Sequence, residues 1–389
     1  MLPVKTFRVP QVVITGSGSS KQVGEECKKL GLKKALIVTD QNLVKLGIPD
    51  GVKESLQQNG VEHATYDGVN SEPAIEHVQE GLEAFRGNGC DFLLAVGGGS
   101  PMDTAKAISA MATNQGSIED YMGQGKIPER GKPVIAVPTT AGTGSEVTPF
   151  SIITDTRRDV KMLIGSPFLT PAIAVVDPQL TISLPQDITA ATGIDALTHA
   201  IEAYVSVKVQ PMSDVLALAA IELIAGNLEQ AWSDGKNLEA REKTMMGSLM
   251  AGMAFSNSSV ALVHGMARPI GAYFHVRHGA SNAALLGTVM EFSLEGNPAR
   301  YARIAEAMGV KAGGLSELEA AQRGAEAVKK LIKDVRIPSM RELGVGKEKL
   351  EQLAPKMSED AIASGSPGNN PRQATKEEII ELYKVAYGE

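Results

Sequence analysis

The chain has little of several things, and each shortage excludes something. Its 389 residues include only two cysteines, Cys27 and Cys90, with no paired spacing. A disulfide framework and a metal knuckle are therefore excluded, and both residues read as buried or free thiols in a reducing compartment. No Lys/Arg-rich cluster is present and the formal net charge is −7, so the chain offers no electrostatic footprint for a phosphate backbone and nucleic acid is not an expected partner. No stretch reaches the roughly 18 consecutive apolar residues of a membrane span. The opening segment MLPVKTFRVPQVVITGSG also lacks the uninterrupted apolar run of a secretory signal. A soluble, cytoplasmic protein without a membrane partner is the expectation. There is no internal repeat and no low-complexity tract, and the Gly/Pro-rich stretch late in the chain, GSPGNNP (365–371), reads as a loop.

With 43% hydrophobic and 21% charged residues, the chain is long enough to bury two cores of ordinary domain size. In the first half, short β-branched runs alternate with helical patterns. KALIVTD, VEHATYDG and DFLLAVGGG are each followed by a helix, and VIAVPT (134–139) and AIAVVD (172–177) look like further strands. Such alternation predicts βαβ units on a parallel sheet. After LPQDI (184–188) the strand signals stop. SDVLALAAIELIAGNLEQAW, REKTMMGSLMAGMAF, ARYARIAEAMG and KEEIIELYKVAY all follow a 3.6-residue period. The fold expected is an α/β N-terminal domain with a parallel, Rossmann-like sheet, residues 1–185, followed by an all-α domain, residues 186–389.

Two loops in the first half suit a nucleotide. Gly97-Gly98-Gly99-Ser100-Pro101-Met102-Asp103 leaves an apolar strand and enters a helix, where backbone N–H groups can approach a phosphate closely. It matches neither G-x-G-x-x-G nor the P-loop pattern, and alone it also reads as a tight turn. PTTAGTGSEVT (138–148) follows the VIAV strand and is dense in hydroxyls. Ligands of open α/β sheets bind at the carboxyl ends of strands, so two such loops reinforce each other and point to a nucleotide. Asp40 ends ALIVTD, where a carboxylate can accept hydrogen bonds from the ribose of NAD and repel the 2′-phosphate of NADP. It reads equally as an N-cap. TGSGSS (15–20) lacks a third glycine and reads as turn and cap.

The helical half carries the metal chemistry. TGIDALTHAIEAY (192–204) places Asp195 and His199 four residues apart on one helical face, and ALVHGMARPIGAYFHVRHGASNA (261–283) adds His264, Arg268, His275 and His278. Four of the six histidines fall between 199 and 278, in an apolar, small-residue context where an imidazole needs a partner. One shared metal is the economical partner. A carboxylate with imidazoles suits Fe(II) or Zn(II) and differs from thiolate-rich structural sites. His275 also reads as a residue behind the ligands or at the surface.

Together GGGSPMDTAKA, PTTAGTGSE, ATGIDALTHAIEAY, LVHGMA with the later HG.SNA, and NNPRQAT resemble the iron-containing (group III) alcohol dehydrogenase family along essentially the whole chain. The resemblance implies a dinucleotide-binding domain, a helical domain, a cleft between them, and a divalent metal held by Asp195, His199, His264 and His278. It implies NAD contacts from Asp40, Gly97, Gly98, Gly99, Ser100, Asp103, Thr139, Thr140, Thr143 and Ser145, with Lys161 reaching the nucleotide. The activity implied is hydride transfer between NAD and a primary alcohol or its aldehyde, in a homodimer or larger oligomer.

Two positions depart from the family pattern. Most relatives carry a further His where this chain has Arg268, and a Pro where it has Arg277. A relay role at position 268 is thereby put in question, leaving His275 as a candidate for proton exchange. A buried guanidinium suits an anionic tail on the substrate, or else a protein carboxylate or the cofactor diphosphate. Competing readings are a lyase of the dehydroquinate-synthase type, which calls for a Lys/Arg-rich pocket, a zinc glycerol dehydrogenase with fewer ligands, and a non-enzymatic nucleotide sensor or metal store.

Overall fold

The structure is a computed structural model that describes residues 4–70, 72–158 and 160–388. It divides into two compact units, residues 8–183, and residues 184–388 together with residues 4–7. The short N-terminal segment is tied to the second unit by Lys5 Nζ, which donates to the Lys208 and Val209 carbonyls at 3.0 and 2.9 Å.

The first unit contains strands β1 (Val12–Thr15), β2 (Lys34–Val38), β3 (Glu62–Tyr66), β4 (Phe92–Gly97), β5 (Gly123–Gln124), β6 (Val134–Pro138), β7 (Phe150–Asp155), β8 (Val160–Gly165) and β9 (Ile173–Val176). Its helices are α1 (Val23–Lys29), α2 (Gln41–Lys45), α3 (Asp50–Gln58), α4 (Ile75–Gly87) and α5 (Gly99–Met111). Six strands form one sheet in the order β1-β9-β6-β4-β2-β3, every neighbouring pair parallel. Its central strands are buried on both faces. Leu36, Val38, Leu93, Ala95 and Ala136 belong to one core, and Ala35, Ile37, Phe92, Leu94, Ile135 and Val137 to the other. Continuous apolar runs are what a doubly covered parallel sheet requires.

A second sheet, β5-β8-β7, was not foreseen from the sequence. Its core is an antiparallel hairpin that pairs Phe150 with Gly165 at one end and Asp155 with Val160 at the other. β7 alternates half-buried and buried residues. That pattern gives a weaker sequence signal than an unbroken apolar run.

The second unit is helical: α6 (Gln186–Val205), α7 (Pro211–Ser233), α8 (Leu238–Ser258), α9 (Leu262–Phe274), α10 (His278–Ser293), α11 (Pro298–Ala307), α12 (Glu317–Asp334), α13 (Lys347–Ala363) and α14 (Lys376–Gly388). α6 is buried from Thr189 to Val205 at every position except Thr192. Small residues allow its neighbours to close on it. A Cβ on Gly193 would lie 2.2 Å from Leu228, and one on Gly247 2.6 Å from Ile224. By length and composition α7 could cross a membrane, as could α8 with α9 were they one straight helix. In this fold α7 buries Ala217, Ala220, Ile221, Ile224 and Leu228 within the unit. α8 and α9 are bent 102° to each other across a break where Ser259 takes φ 71°, and the bend sets where α9 begins.

Candidate metal centre and nucleotide loops

Asp195, His199 and Glu202 lie on one face of α6, as their spacing of four and then three residues dictates. His264 comes from the first turn of α9, and a ligand atom from each of Asp195, His199 and His264 falls within 4.8 Å of the others, all three side chains being buried. The His199 ring is stacked between Phe255, at 4.1 Å centroid to centroid, and His264, at 4.4 Å. His278 opens α10 beside the cluster. Its Nε2 lies 3.9 Å from Asp195 Oδ1, and its side chain is 39% exposed.

Gly279 makes this approach feasible. A Cβ there would lie 2.6 Å from the Ala191 carbonyl oxygen and 3.4 Å from Asp195 Cβ, so any other residue would push α10 off α6. On the opposite side, Gly265 of α9 packs where a Cβ would meet Pro367 at 2.7 Å. Asn369 Nδ2 donates to the Val260 carbonyl, and Asn370 Nδ2 to Ser293 Oγ. NNPRQAT thus braces the break before α9 and the end of α10.

Two residues that sequence reasoning did not single out organise the cluster. Glu202 Oε2 lies 2.6 Å from His264 Nδ1, and Glu202 Oε1 accepts the Val263 N–H at 2.6 Å. The carboxylate therefore caps the N-terminus of α9 and takes the proton on His264 Nδ1, leaving Nε2 as a lone-pair donor toward Asp195, 3.7 Å away. Asn282 Nδ2 donates to Asp195 Oδ1 at 2.6 Å and lies 3.1 and 3.2 Å from the Nε2 atoms of His264 and His278.

The electrostatics fit a divalent cation. Burial pushes Asp195 up to about 7, with Glu202 adding to the rise against the Asn282 hydrogen bond. Burial pushes Glu202 to about 7 as well, and His264 down to about 3, helped by Arg268. Two buried carboxylates and a neutral imidazole make a costly arrangement in isolation. It becomes favourable around a dication, whose ligands must be deprotonated.

Arg268 lies one turn beyond His264, half-buried, and α9 continues through it despite Pro269 inside the helix. Burial lowers its pKa while Glu202 raises it. His275 ends α9 with φ 55° and is exposed.

In the first unit the glycine and threonine loops leave the adjacent strands β4 and β6, where Gly97 pairs with Pro138 and the Thr139 N–H donates to the Gly97 carbonyl at 3.0 Å. Gly97 takes φ 157°. The loops touch: a Cβ on Gly99 would sit 3.1 Å from Thr143 and one on Gly98 3.5 Å from Thr140. Gly98, Gly99, Ser100, Thr140 and Thr143 remain partly exposed, and α5 starts at Gly99 with its first N–H groups available to an anion. Asp103 and Ser145 turn inward. Ser145 Oγ donates to Asp103 Oδ1 at 2.6 Å and the Ile152 N–H to Asp103 Oδ2 at 2.9 Å. Lys106, fully buried and unforeseen, donates to Ser145 Oγ, Thr148 Oγ1 and the Phe150 carbonyl at 2.8, 3.2 and 2.8 Å. This network locks α5, the threonine loop and β7 together. Asp40 caps α2, its Oδ1 accepting the Asn42 and Leu43 N–H groups at 2.8 and 3.0 Å. Lys161 pairs with Glu72.

A parallel sheet with two small-residue loops at its strand ends, and a helical unit with buried carboxylate and imidazole donors, define a metal-dependent, dinucleotide-linked oxidoreductase. Residues 10–178 match the iron-containing alcohol dehydrogenase model, and residues 189–387 match the C-terminal model of the Fe-containing alcohol dehydrogenase family. The chain belongs to the iron-containing alcohol dehydrogenase family. It is 42% identical to the 1,3-propanediol dehydrogenase of Citrobacter freundii over 384 residues, 98% of each chain. It is 40% identical to the NAD-dependent methanol dehydrogenase of Bacillus methanolicus, over 98% of this chain and 99% of that one. The crystal structure of a 1,3-propanediol oxidoreductase superposes with a TM-score of 0.96 at 42% identity, covering 99% of this chain and 100% of that one. The lyase and glycerol dehydrogenase alternatives are not favoured by these matches.

Proposed function

We infer that the protein transfers a hydride between NAD and a primary alcohol, or in reverse from NADH to the aldehyde. The observation that carries this is the buried convergence of Asp195, His199 and His264 in a chain of this family. A divalent ion, Fe(II) in our reading with Zn(II) also suited to the donor set, supplies Lewis-acid polarisation of the substrate oxygen. NAD supplies the hydride acceptor.

The chain's own residues do the rest. Asp195, His199, His264 and His278 hold the ion. Glu202 fixes the His264 tautomer, and Phe255 covers one face of His199 against water. Gly97, Gly98, Gly99 and Ser100 receive the diphosphate at the start of α5, with Thr139, Thr140 and Thr143 beside them. Asp103 and Ser145 act through the network that holds the two loops. Asp40 reads the ribose, and Lys161 reaches the nucleotide by leaving Glu72. His275, exposed at the end of α9, exchanges protons with solvent. Arg268 faces the substrate. We further propose a cytoplasmic homodimer acting on small alcohols and aldehydes, with no membrane or nucleic-acid partner, built from domains 1–185 and 186–389. The compact units, which divide between residues 183 and 184, support a boundary near 185, while residues 4–7 go with the helical unit.

The test is direct. Protein purified without oxygen and loaded with Fe(II) or Zn(II) is mixed with NAD and a panel of primary alcohols, and reduced nicotinamide is followed by absorbance. His264→Ala and His278→Ala should lose the metal, and turnover with it, while keeping their circular dichroism. Full activity with bound metal in either variant overturns the assignment.

A further inference from the structure

A guanidinium carries five N–H donors in a rigid fork, and burying them without acceptors is unfavourable. The buried arginine of the helical unit obeys this rule. Arg241 donates to Thr189 Oγ1 at 2.7 Å, to the Gly235 carbonyl at 3.1 Å and to the Leu184 carbonyl at 3.4 Å. Arg268 does not. Among the described residues no carboxylate lies within 4.0 Å of its guanidinium, and no hydroxyl or carbonyl accepts from it. The acidic side chain whose charge it feels is Glu202, and both oxygens of that carboxylate are engaged, one by the Val263 N–H and one by His264 Nδ1. Among the described residues, Arg268 is thus a half-buried cation without an acceptor, one helical turn from a metal ligand.

The charges point the same way. Asp195 and Glu202 together balance one dication, which leaves the guanidinium as an excess positive charge beside the centre. A planar oxyanion placed on the fork would satisfy paired N–H donors and neutralise that excess at once. Neighbouring positions on a helix face stand about 5–6 Å apart, so the oxyanion and the reacting carbon must belong to a short molecule.

We propose that Arg268 forms an anion subsite beside the metal centre, and that the substrate is a short primary alcohol or aldehyde with a carboxylate or sulfonate at its far end. This deepens the reading given under Proposed function and rests on it. The subsite is a matter of specificity: the neutral alcohol of the same length meets the same ligands but leaves the guanidinium unpartnered.

The experiment compares kcat/KM for 3-hydroxypropanoate and 2-hydroxyethanesulfonate with that for 1-propanol and ethanol, using metal-loaded protein and NAD, in wild type, Arg268→Met and Arg268→Lys. A parallel calorimetric titration uses the unreactive anions propanoate and ethanesulfonate on the NAD-bound protein. The expected result is a charged-over-neutral preference of tenfold or more in wild type, expressed mainly in KM. That preference should collapse in Arg268→Met and return in part in Arg268→Lys, with anion binding following the same order. Whichever anion gives the larger ratio identifies the tail. Failure of every alcohol to react overturns the dehydrogenase reading, while the calorimetry still decides the subsite. Turnover of neutral alcohols with no charged advantage, or anion binding equal in wild type and Arg268→Met, overturns the subsite. A rise in KM confined to NAD overturns it too, by assigning the guanidinium to the cofactor.

Discussion

Glu202 holds His264 through two separate bonds, its Oε2 lying 2.6 Å from the ring Nδ1 and its Oε1 receiving the N–H of Val263, the residue before the histidine. The first bond sets the tautomer and the second sets the start of the helix that carries the ring. Partners behind a metal-bound histidine typically change metal affinity by about 10–100-fold when removed. Glu202→Gln keeps the side-chain volume but presents only one oxygen, so it can serve the backbone or the imidazole and not both. Its metal affinity, measured by competition with a chelator, should fall within that range while the fold is retained. An affinity equal to wild type in a folded Glu202→Gln protein would assign the carboxylate to helix capping alone.

The legibility of this site differed residue by residue. Asp195 and His199 could be read from one helical segment because a spacing of four residues is itself a geometric statement. Glu202, seven residues after Asp195 on the same face, carried the same signal within the quoted motif. Its role depends on where α9 begins, however, and that is set by the 102° bend after α8, which no local pattern encodes. Asn282 follows His278 by four residues, but an amide is an ordinary residue in a helix until tertiary packing brings it to Asp195. In the other unit the parallel sheet was legible in its apolar runs. The β7–β8 hairpin was not, because β7 alternates half-buried and buried residues and so lacks such a run. Lys106, three residues after Asp103 in an otherwise apolar segment, is a charge on a buried helix face, and its acceptors come from a loop and a strand far along the chain.

Asp40 separates two roles that a single substitution would confuse. Its Oδ1 caps α2, and its position at the end of β2 is where a carboxylate meets an adenosine ribose. Asp40→Asn retains a good cap and removes the charge, whereas Asp40→Ala removes both. If the carboxylate excludes the 2′-phosphate, both variants should lower the NAD-over-NADP ratio of kcat/KM by tenfold or more, each tenfold being about 1.4 kcal/mol. Resistance to denaturation should fall only in the alanine variant. A ratio unchanged in Asp40→Asn reduces the residue to its capping role.

The network around Lys106 sets a pH dependence for the first unit. Burial pushes Glu146 up to about 7, against the pull of its own backbone hydrogen bond and of the Lys106 charge, while burial pushes Lys106 down to about 8. A carboxyl whose folded pKa lies above its unfolded value contributes stability that is complete below about 4.5. That contribution is lost as pH rises through 7. The lysine is the opposite case: its depressed folded pKa contributes stability at high pH that is lost as pH falls through 8. Between pH 5 and pH 7 the lysine stays charged and the carboxyls set the trend: burial raises Asp103 in the same direction, and the Glu146 shift from 4.5 to about 7 corresponds to at most about 3 kcal/mol. Asp195 and Glu202 are also raised, so the global stability of the whole chain would mix two centres. The measurement must be local. Hydrogen-exchange protection of residues 92–111, covering β4 and α5, should be greater at pH 5 than at pH 7.5 in the metal-loaded wild type, after correction for intrinsic exchange. Glu146→Gln, which holds the neutral form at every pH, should reduce that difference. A difference of the same size in Glu146→Gln would place the titrating group elsewhere and leave Lys106 balanced by Asp103, 3.8 Å away, beside its three neutral acceptors.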